Sequence, residues 1–329
     1  MKVLVTGGAG YIGSHACKAL AAKGVEPVVY DNLSRGHREA VKWGPFEQGD
    51  IGDAARVRTV LERYRPAAVM HFAAYAYVGE SNENPLLYYE NNVAKAVVLL
   101  RTLQDFGALP FIFSSTCATY GMPKSLPIAE DHPQEPINPY GRSKLYVERM
   151  LAEADAAYGL RSVSLRYFNA AGCDPDGEIG ETHDPEPHLI PRVLAAARDQ
   201  TPVHIFGDDY DTPDGTCIRD YVHVNDIVDA HLRALDYLAA GGASCAINLA
   251  NTRGYSVKEV IATAERVTGR SVPAKVMPRR PGDPPVLIGF AGKAKDVLGW
   301  TPKLPELATQ IEHAWRWLST AQRQPAAAL

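Results

Sequence analysis

Lys2-Val3-Leu4-Val5-Thr6-Gly7-Gly8-Ala9-Gly10-Tyr11-Ile12-Gly13 is the stretch that decides how this 329-residue chain folds. The apolar run Lys2–Thr6 reads as a buried strand. It passes straight into glycines spaced GxxGxxG, and Ile12–Lys23 continues at helical period. Glycine at the turn permits backbone angles that other residues resist. Glycine further on lets the helix N-terminus approach a pyrophosphate, where free N–H groups and the helix dipole favour an anion. A glycine-rich turn that serves only packing is the competing reading, because such a triplet alone is a weak signal.

The same rhythm continues outward. Glu26–Tyr30, Ala67–Phe72, Phe111–Ser115 and Arg161–Phe168 read as further strands. Ala54–Tyr64, one long helix over Leu86–Phe106, and a helix opening after Pro139 lie between them. Strands alternating with helices predict a right-handed, Rossmann-type doubly wound parallel sheet, an α/β fold. The expected division is a dinucleotide-binding domain over 1–170, with a segment near 217–250 returning to it, and a smaller α+β substrate-binding domain mainly over 171–329. After Asn169 the texture changes: Gly172 to Pro191 holds Pro175, Pro185 and Pro187 as well as several acids, as a loop-rich excursion does. Helices are expected at Asn225–Ala239 and Val257–Thr268, the second with Ser256 and Glu259 spaced as a capping box. Pro278 to Pro285 can be neither helix nor central strand. The tail Gln322–Leu329 is expected to fray.

Asp31 sharpens the glycine reading. It stands at the end of the second strand, where an acid holds the ribose hydroxyls of adenosine, and its charge would repel a 2′-phosphate, so NAD is favoured over NADP. Arg35 and Arg38 stand close by and pull the other way. Asp50-Ile51, after the next strand position, is placed for adenine, although an acid at a helix N-terminus looks the same.

Composition narrows the classes. A hydrophobic content of 46%, 22% charged residues and a net charge of −4 describe a globular chain with no bulk attraction to nucleic acid or anionic membrane. Val3-Leu4-Val5 runs into glycine too soon for a signal peptide, and Val93–Leu100 is too short to span a bilayer. The five cysteines, Cys17, Cys117, Cys173, Cys217 and Cys245, are scattered with no CxxC pair, which fits a reduced cytoplasmic setting and no zinc site. His223 and the pair His183/His188 have spacings that fit no familiar metal site and are expected to be structural.

Tyr140-Gly141-Arg142-Ser143-Lys144 is the candidate chemical centre. With 16 tyrosines in the chain a YxxxK pair is weak by itself, and Tyr120 and Lys124 match it too. Pro123 separates that second pair, whereas Tyr140 and Lys144 follow Pro139 at a helix start and lie one turn apart on one side. Ser114-Ser115-Thr116 puts hydroxyls at the carboxyl end of a strand, the edge at which ligands bind in open α/β sheets.

Taken together these residues resemble the extended short-chain dehydrogenase/reductase family and, within it, the UDP-glucose 4-epimerases. The resemblance is carried by Gly7–Ser14, Asp31–Ser34, Phe72-Ala73-Ala74, Gly79-Glu80-Ser81, Asn91-Asn92, Ser114–Thr116, Tyr140–Lys144, Arg166–Asn169, Phe206–Tyr210, Asp214–Thr216, Arg219–Val224 and Arg279–Asp283. It implies NAD on Gly7, Gly10, Tyr11, Ile12, Gly13, Asp31, Asn32, Ser34, Asp50, Ile51, Phe72, Ala73, Ala74, Asn91, Ser114, Tyr140, Lys144 and Phe168. It implies a UDP-sugar on Thr116, Asn169, Leu189, Phe206, Arg219, Tyr221, Arg280, Asp283 and Leu287. Arg219 and Arg280 would meet the diphosphate, Asp283 the uridine ribose and Phe206 the uracil.

Tyr140 would take the proton of the 4-hydroxyl while C4 passes hydride to retained NAD, with Thr116 holding the oxygen. The 4-keto sugar would then turn and take the hydride back on its other face. Such a tyrosinate needs roughly three units of depression from about 10, worth about 4 kcal/mol, and Lys144 and the cationic nicotinamide are the charges available to supply it. A homodimer is implied, its core built by helices near Leu86–Phe106 and Gly141–Tyr158.

Two positions depart from some members: Ala76 where they carry lysine, and Leu287 where they carry tyrosine. A 4,6-dehydratase would need an acid pair after Thr116, where this chain has Cys117-Ala118. A sugar reductase would exchange its cofactor freely, and a dinucleotide sensor would have no use for Tyr140, Lys144 and Thr116 together. A pocket closed by Leu287 suits glucose and galactose, with N-acetylated sugars poorer and pentoses a side activity.

Overall fold

The computed structural model describes residues 1–280 and 282–321; Pro281 and the tail Gln322–Leu329, expected to fray, lie outside the described residues. The strands are β1 (Lys2–Thr6), β2 (Glu26–Asp31), β3 (Phe46–Gln48), β4 (Ala68–His71), β5 (Phe111–Thr116), β6 (Ser162–Tyr167), β7 (Asn169–Ala171), β8 (Val203–Phe206), β9 (Ile218–His223), β10 (Cys245–Leu249), β11 (Gly254–Ser256), β12 (Ala274–Met277) and β13 (Val286–Leu287). The helices are α1 (Tyr11–Ala22), α2 (Ala54–Tyr64), α3 (Val78–Glu83), α4 (Pro85–Tyr88), α5 (Lys95–Phe106), α6 (Pro139–Tyr158), α7 (Leu189–Asp199), α8 (Val224–Ala239), α9 (Val257–Thr268), α10 (Gly292–Leu298) and α11 (Leu307–Ala321).

A seven-stranded parallel sheet runs in the order β10-β6-β5-β4-β1-β2-β3. Successive side chains leave opposite faces of a strand, and here both faces are covered, which is why the strands read as unbroken apolar runs. Val3 and Val5 pack on one side with Met70, Ile112 and the apolar stripes of α1 and α8. Leu4 packs on the other with Val69, Phe111, Phe113 and residues of α2, α5 and α6. The register places Thr6 beside His71 and Tyr30, and Thr116 beside Tyr167, so the strand ends that carry the candidate residues share one edge.

The segment expected to return near 217–250 splits between two sheets. α8 and β10 join the large sheet, while β9 pairs with β7, β11 and β13 in a second, four-stranded one. A third core gathers α7, α9 and α11 around Tyr221, Val260 and Ile311. Helix α9 carries the expected capping box of Ser256 and Glu259.

The single helix expected over Leu86–Phe106 is a correction. Pro85 opens the short α4, a π-turn covers Tyr89–Ala94, and only then does α5 run. The wider turn brings Asn91 and Asn92 into the interior, where the Asn92 side chain accepts from Tyr75 N at 2.8 Å and donates to Tyr75 O at 2.9 Å and Ser143 Oγ at 3.0 Å. π-turns of this kind gather at functional sites. Among the described residues no helix is long and apolar enough to cross a membrane.

Candidate active site

Along the carboxyl edge of the large sheet lies a cavity of about 1000 Å³. Every residue the sequence assigned to the nucleotide lines it: Gly7, Gly10, Tyr11, Ile12 and Gly13 from the first turn, Asp31, Asn32, Ser34, Asp50 and Ile51 from the next two strand ends, then Phe72, Ala73, Ala74, Asn91, Ser114, Tyr140, Lys144 and Phe168. Thr116, Asn169, Arg219, Arg280, Asp283 and Leu287 line it as well. Leu189, Phe206 and Tyr221 do not; they line an adjoining cavity of about 170 Å³ that shares Asn169, Arg219, Arg280 and Asp283 with the first.

The glycine turn is built by close approach. A Cβ on Gly13 would lie 2.1 Å from Gly7 O, and one on Gly7, whose φ is +75°, would lie 2.5 Å from Ala73 N. At Gly10 only Gly7 O, at 3.3 Å, comes near, so that face stays open towards the cleft. This is a cradle shaped for a pyrophosphate at the start of α1. Asp31 accepts from Ala9 N at 3.0 Å and Leu33 N at 2.8 Å, and burial raises its pKa. Asp50 is held by Lys95 Nζ at 2.7 Å, Asn32 Nδ2 at 2.9 Å and Gly52 N at 2.8 Å. The arginines that argued for NADP are engaged elsewhere. Arg35 pairs with Glu80 and covers the rings of Tyr75 and Tyr77, and Arg38 lies over Phe46.

At the floor Tyr140 and Lys144 share one side of α6, next to the end of β5. Asn138 caps the helix by accepting from Gly141 N at 2.8 Å, and Pro139 occupies its first position. Lys144 Nζ donates to Ser114 O at 2.8 Å and lies over the Phe113 ring. Burial lowers its pKa to about 7, against a smaller upward pull from Glu148. Burial likewise pushes the Tyr140 phenol up to about 12, partly offset by a hydrogen bond with Thr116. The chemistry needs a lowered phenol, and among the protein's own groups burial acts against that while Thr116 acts for it. Thr116 Oγ1 accepts from Ala118 N at 3.1 Å, which leaves its proton to donate. Cys117, where a dehydratase needs an acid, is pushed up to about 12 by burial.

At the other end the candidate ligands touch one another. Arg219 bonds Asp283 and donates to Ile218 O at 2.8 Å, and Arg280 lies 3.9 Å over the Phe206 ring. Leu287 pairs with Arg219 across β13 and β9 and packs against the small cluster of Tyr120, Ile128, Phe168 and Ala250. Arg192, on the first turn of α7, lines both cavities and was missed; nothing in its local sequence marks it.

The sequence also gave no sign that His183 and His188 would join Glu181 on the cavity wall. Burial works against charge on both imidazoles, but Glu181 and Glu186 outweigh it and raise them to about 9 and about 10.

A glycine cradle at a helix N-terminus, with a tyrosine–lysine pair beside a strand-end hydroxyl, defines a dinucleotide-dependent enzyme of the α/β class. The chain belongs to the NAD dependent epimerase/dehydratase family, whose model matches residues 3–250. It is 54% identical over 316 residues to a UDP-glucose 4-epimerase of Rhizobium leguminosarum bv. trifolii, covering 96% of each chain. It is also similar to the crystal structure of UDP-glucose 4-epimerase from Brucella ovis in complex with NAD, with TM-score 0.94, 53% identity and coverage of 95% of this chain and 97% of that one. The Bifidobacterium longum UDP-glucose 4-epimerase in complex with NAD+ and UDP matches with TM-score 0.92 and 36% identity over 98% and 99% of the two chains.

Proposed function

We propose that this protein interconverts UDP-glucose and UDP-galactose by epimerising C4 of the sugar, using NAD that stays bound through the cycle. The observation that carries the proposal is that Tyr140, Lys144 and Thr116 line one cavity together with the glycine cradle and with Arg219 and Arg280, the two arginines that also line the adjoining cavity. The full-length similarity to UDP-glucose 4-epimerases supports it.

NAD, held by the Gly7–Gly13 turn, would supply a reversible two-electron acceptor for C4 and the positive charge that the Tyr140 phenol needs. Tyr140 Oη takes the proton of the 4-hydroxyl and returns it once the keto group has presented its other face. Thr116 Oγ1 donates to that oxygen and holds it in place. Lys144, buried on Ser114 O, adds positive charge beside the phenol whenever it is protonated. Asp31 and Asp50 take the adenosine end. Arg219 and Arg280 bind the diphosphate with the first N–H groups of α7 near Leu189, while Asn169, Phe206, Tyr221 and Asp283 hold the uridine. Binding then exchanges the Arg219–Asp283 and Arg280–Phe206 contacts for ligand contacts.

The domain division proposed is 1–170 with α8 and β10 for NAD, and the remainder for the UDP-sugar. Leu86, Val97 and Tyr146, exposed on α4, α5 and α6, support a homodimer built on that face. Five free thiols support a cytoplasmic setting. Leu287 favours the hexoses over N-acetylated sugars as a preference, and leaves room for pentoses. Acid extraction of the purified protein should yield about one equivalent of NAD per chain. NADP, or turnover without added NAD by a nucleotide-free chain, would overturn the proposal.

A further inference from the structure

Glu181, His183, Glu186 and His188 stand on one loop before α7, and the fold brings one donor atom from each to within 4.8 Å of the others. Both imidazoles turn Nδ1 inward. His188 Nδ1 lies 2.7 Å from Glu181 Oε1 and 3.0 Å from Glu186 Oε1. His183 Nδ1 lies 3.3 Å from the same Glu181 oxygen and 3.2 Å from Glu186 Oε2. Each Nδ1 carries at most one proton, so two protons face four contacts. Both hydrogen bonds go to Glu186. Glu181 Oε1, on a side chain only 4% exposed, faces both imidazoles as an ion-pair partner but receives no aligned hydrogen bond. A buried oxygen held only by misaligned contacts keeps a lone pair for a ligand.

We propose that these four side chains form a divalent metal site of the zinc class, with two Nδ1 atoms and one oxygen from each carboxylate as donors. Zinc bonds of about 2.0–2.2 Å place tetrahedral ligands about 3.3 Å apart, close to the N···O spacings here. Two imidazoles select against calcium and magnesium, which take oxygen donors. A second cluster on the same excursion makes the contrast. Asp174, Asp176 and Glu178 also converge, but Lys18 Nζ lies 2.8, 2.7 and 2.6 Å from them and supplies the cation itself. At the proposed site no ammonium or guanidinium plays that part among the described contacts; the charge facing the carboxylates is that of the two imidazoles, which give up their Nδ1 protons when a metal takes their place.

The location gives the metal a purpose. The His183 ring meets Tyr11 and Tyr77 edge-on at 6.3 and 5.6 Å, and Trp317 Nε1 donates to Glu181 O at 3.1 Å. A cation there ties the loop to the wall of the larger cavity and to α11. His188, the most exposed of the four, gives it a way in.

The test uses tag-free holoenzyme, dialysed against a chelator and then titrated with cobalt(II). We expect one equivalent to bind with the intense visible bands of a four-coordinate centre, and zinc to displace it. Glu181→Gln and His188→Ala should each weaken binding more than about 100-fold, beyond the effect of losing an outer-shell partner. Asp176→Asn, in the lysine-filled cluster, should leave affinity unchanged. Circular dichroism matching the parent establishes that a variant is folded; if Glu181→Gln fails it, the more exposed His188→Ala decides. No cobalt binding, the weak bands of a six-coordinate ion, or equal affinity in parent and folded variant would each overturn the site.

Discussion

The two ends of the cleft are made of different material. The nucleotide end is backbone: the Gly7–Gly13 turn, strand-end carboxylates held by main-chain N–H groups, and a lysine anchored on Ser114 O. The far end is long side chains drawn from distant segments, and there Arg219 holds Asp283, Arg280 covers Phe206, and Arg279 holds Asp209 at 2.6 Å. The first end is complete as it stands, so damage to it should act through occupancy and chemistry. The second exchanges internal contacts for ligand contacts, so damage to it should act through substrate affinity.

The largest effect expected is that of Tyr140→Phe, which removes a proton acceptor and no packing volume. Turnover should fall about 10²–10⁴-fold while UDP affinity by calorimetry stays at the parent value. Most of the rate surviving would mean that another group is the base. Gly13→Ala comes next. Its Cβ would lie 2.1 Å from Gly7 O, a backbone atom with no freedom to move away. The purified variant should be largely free of NAD and destabilised by about 1–3 kcal/mol, measured by denaturant unfolding. At the far end, Arg280→Met should raise KM for the UDP-sugar at least about 10-fold, since a charged hydrogen bond is worth about 1.5–3 kcal/mol, with kcat nearly unchanged. A fall in kcat instead would erase the distinction between the two ends.

Leu287→Ala should raise kcat/KM for UDP-N-acetylglucosamine relative to UDP-glucose by about 1–3 kcal/mol. An unchanged ratio would place the specificity wall elsewhere.

The smallest effect concerns pH. Burial lowers His15 to about 4, His71 to about 3 and His231 to about 4, all of them in α1, β4 and α8 around the large sheet. These groups bind fewer protons folded than unfolded, so the stability they support is present above about 6.5 and is lost as the pH falls towards 4. His231→Leu should therefore flatten the decline in Tm between those values. An identical slope would show that the histidines do not control acid sensitivity.

The same difference in material explains what the sequence disclosed. The cradle was legible because glycines, a strand-end acid and a one-turn Tyr–Lys spacing are local signals, each tied to backbone geometry. The π-turn was hidden, since one extra residue in a helical turn leaves Leu86–Phe106 looking periodic; only the adjacent polar Asn91 and Asn92 marked it. At the far end the resemblance named Arg219, Asp283, Arg280 and Phe206 for ligand contacts, but no spacing could reveal that they first pair with each other across long separations. Arg192 escaped because folding rather than local sequence brings it to the cleft, and the His183/His188 pair was noticed but read as structural, since its spacing did not show that the loop turns Glu181 and Glu186 onto the two rings. The burial that raises the Tyr140 pKa was not legible, because it is a property of the packed helix α6 and not of the YxxxK motif.

In the proposed reaction the hydrogen on C4 leaves and returns within one retained cofactor while Tyr140 handles only the hydroxyl proton. UDP-galactose deuterated at C4, incubated with the tag-free protein in ordinary water with unlabelled NADH present, tests this by NMR. The expected product is UDP-glucose that keeps the deuterium at C4, with none in water and none in the free NADH. Absence of UDP-glucose, deuterium lost to water, or deuterium passed to the free NADH would contradict it.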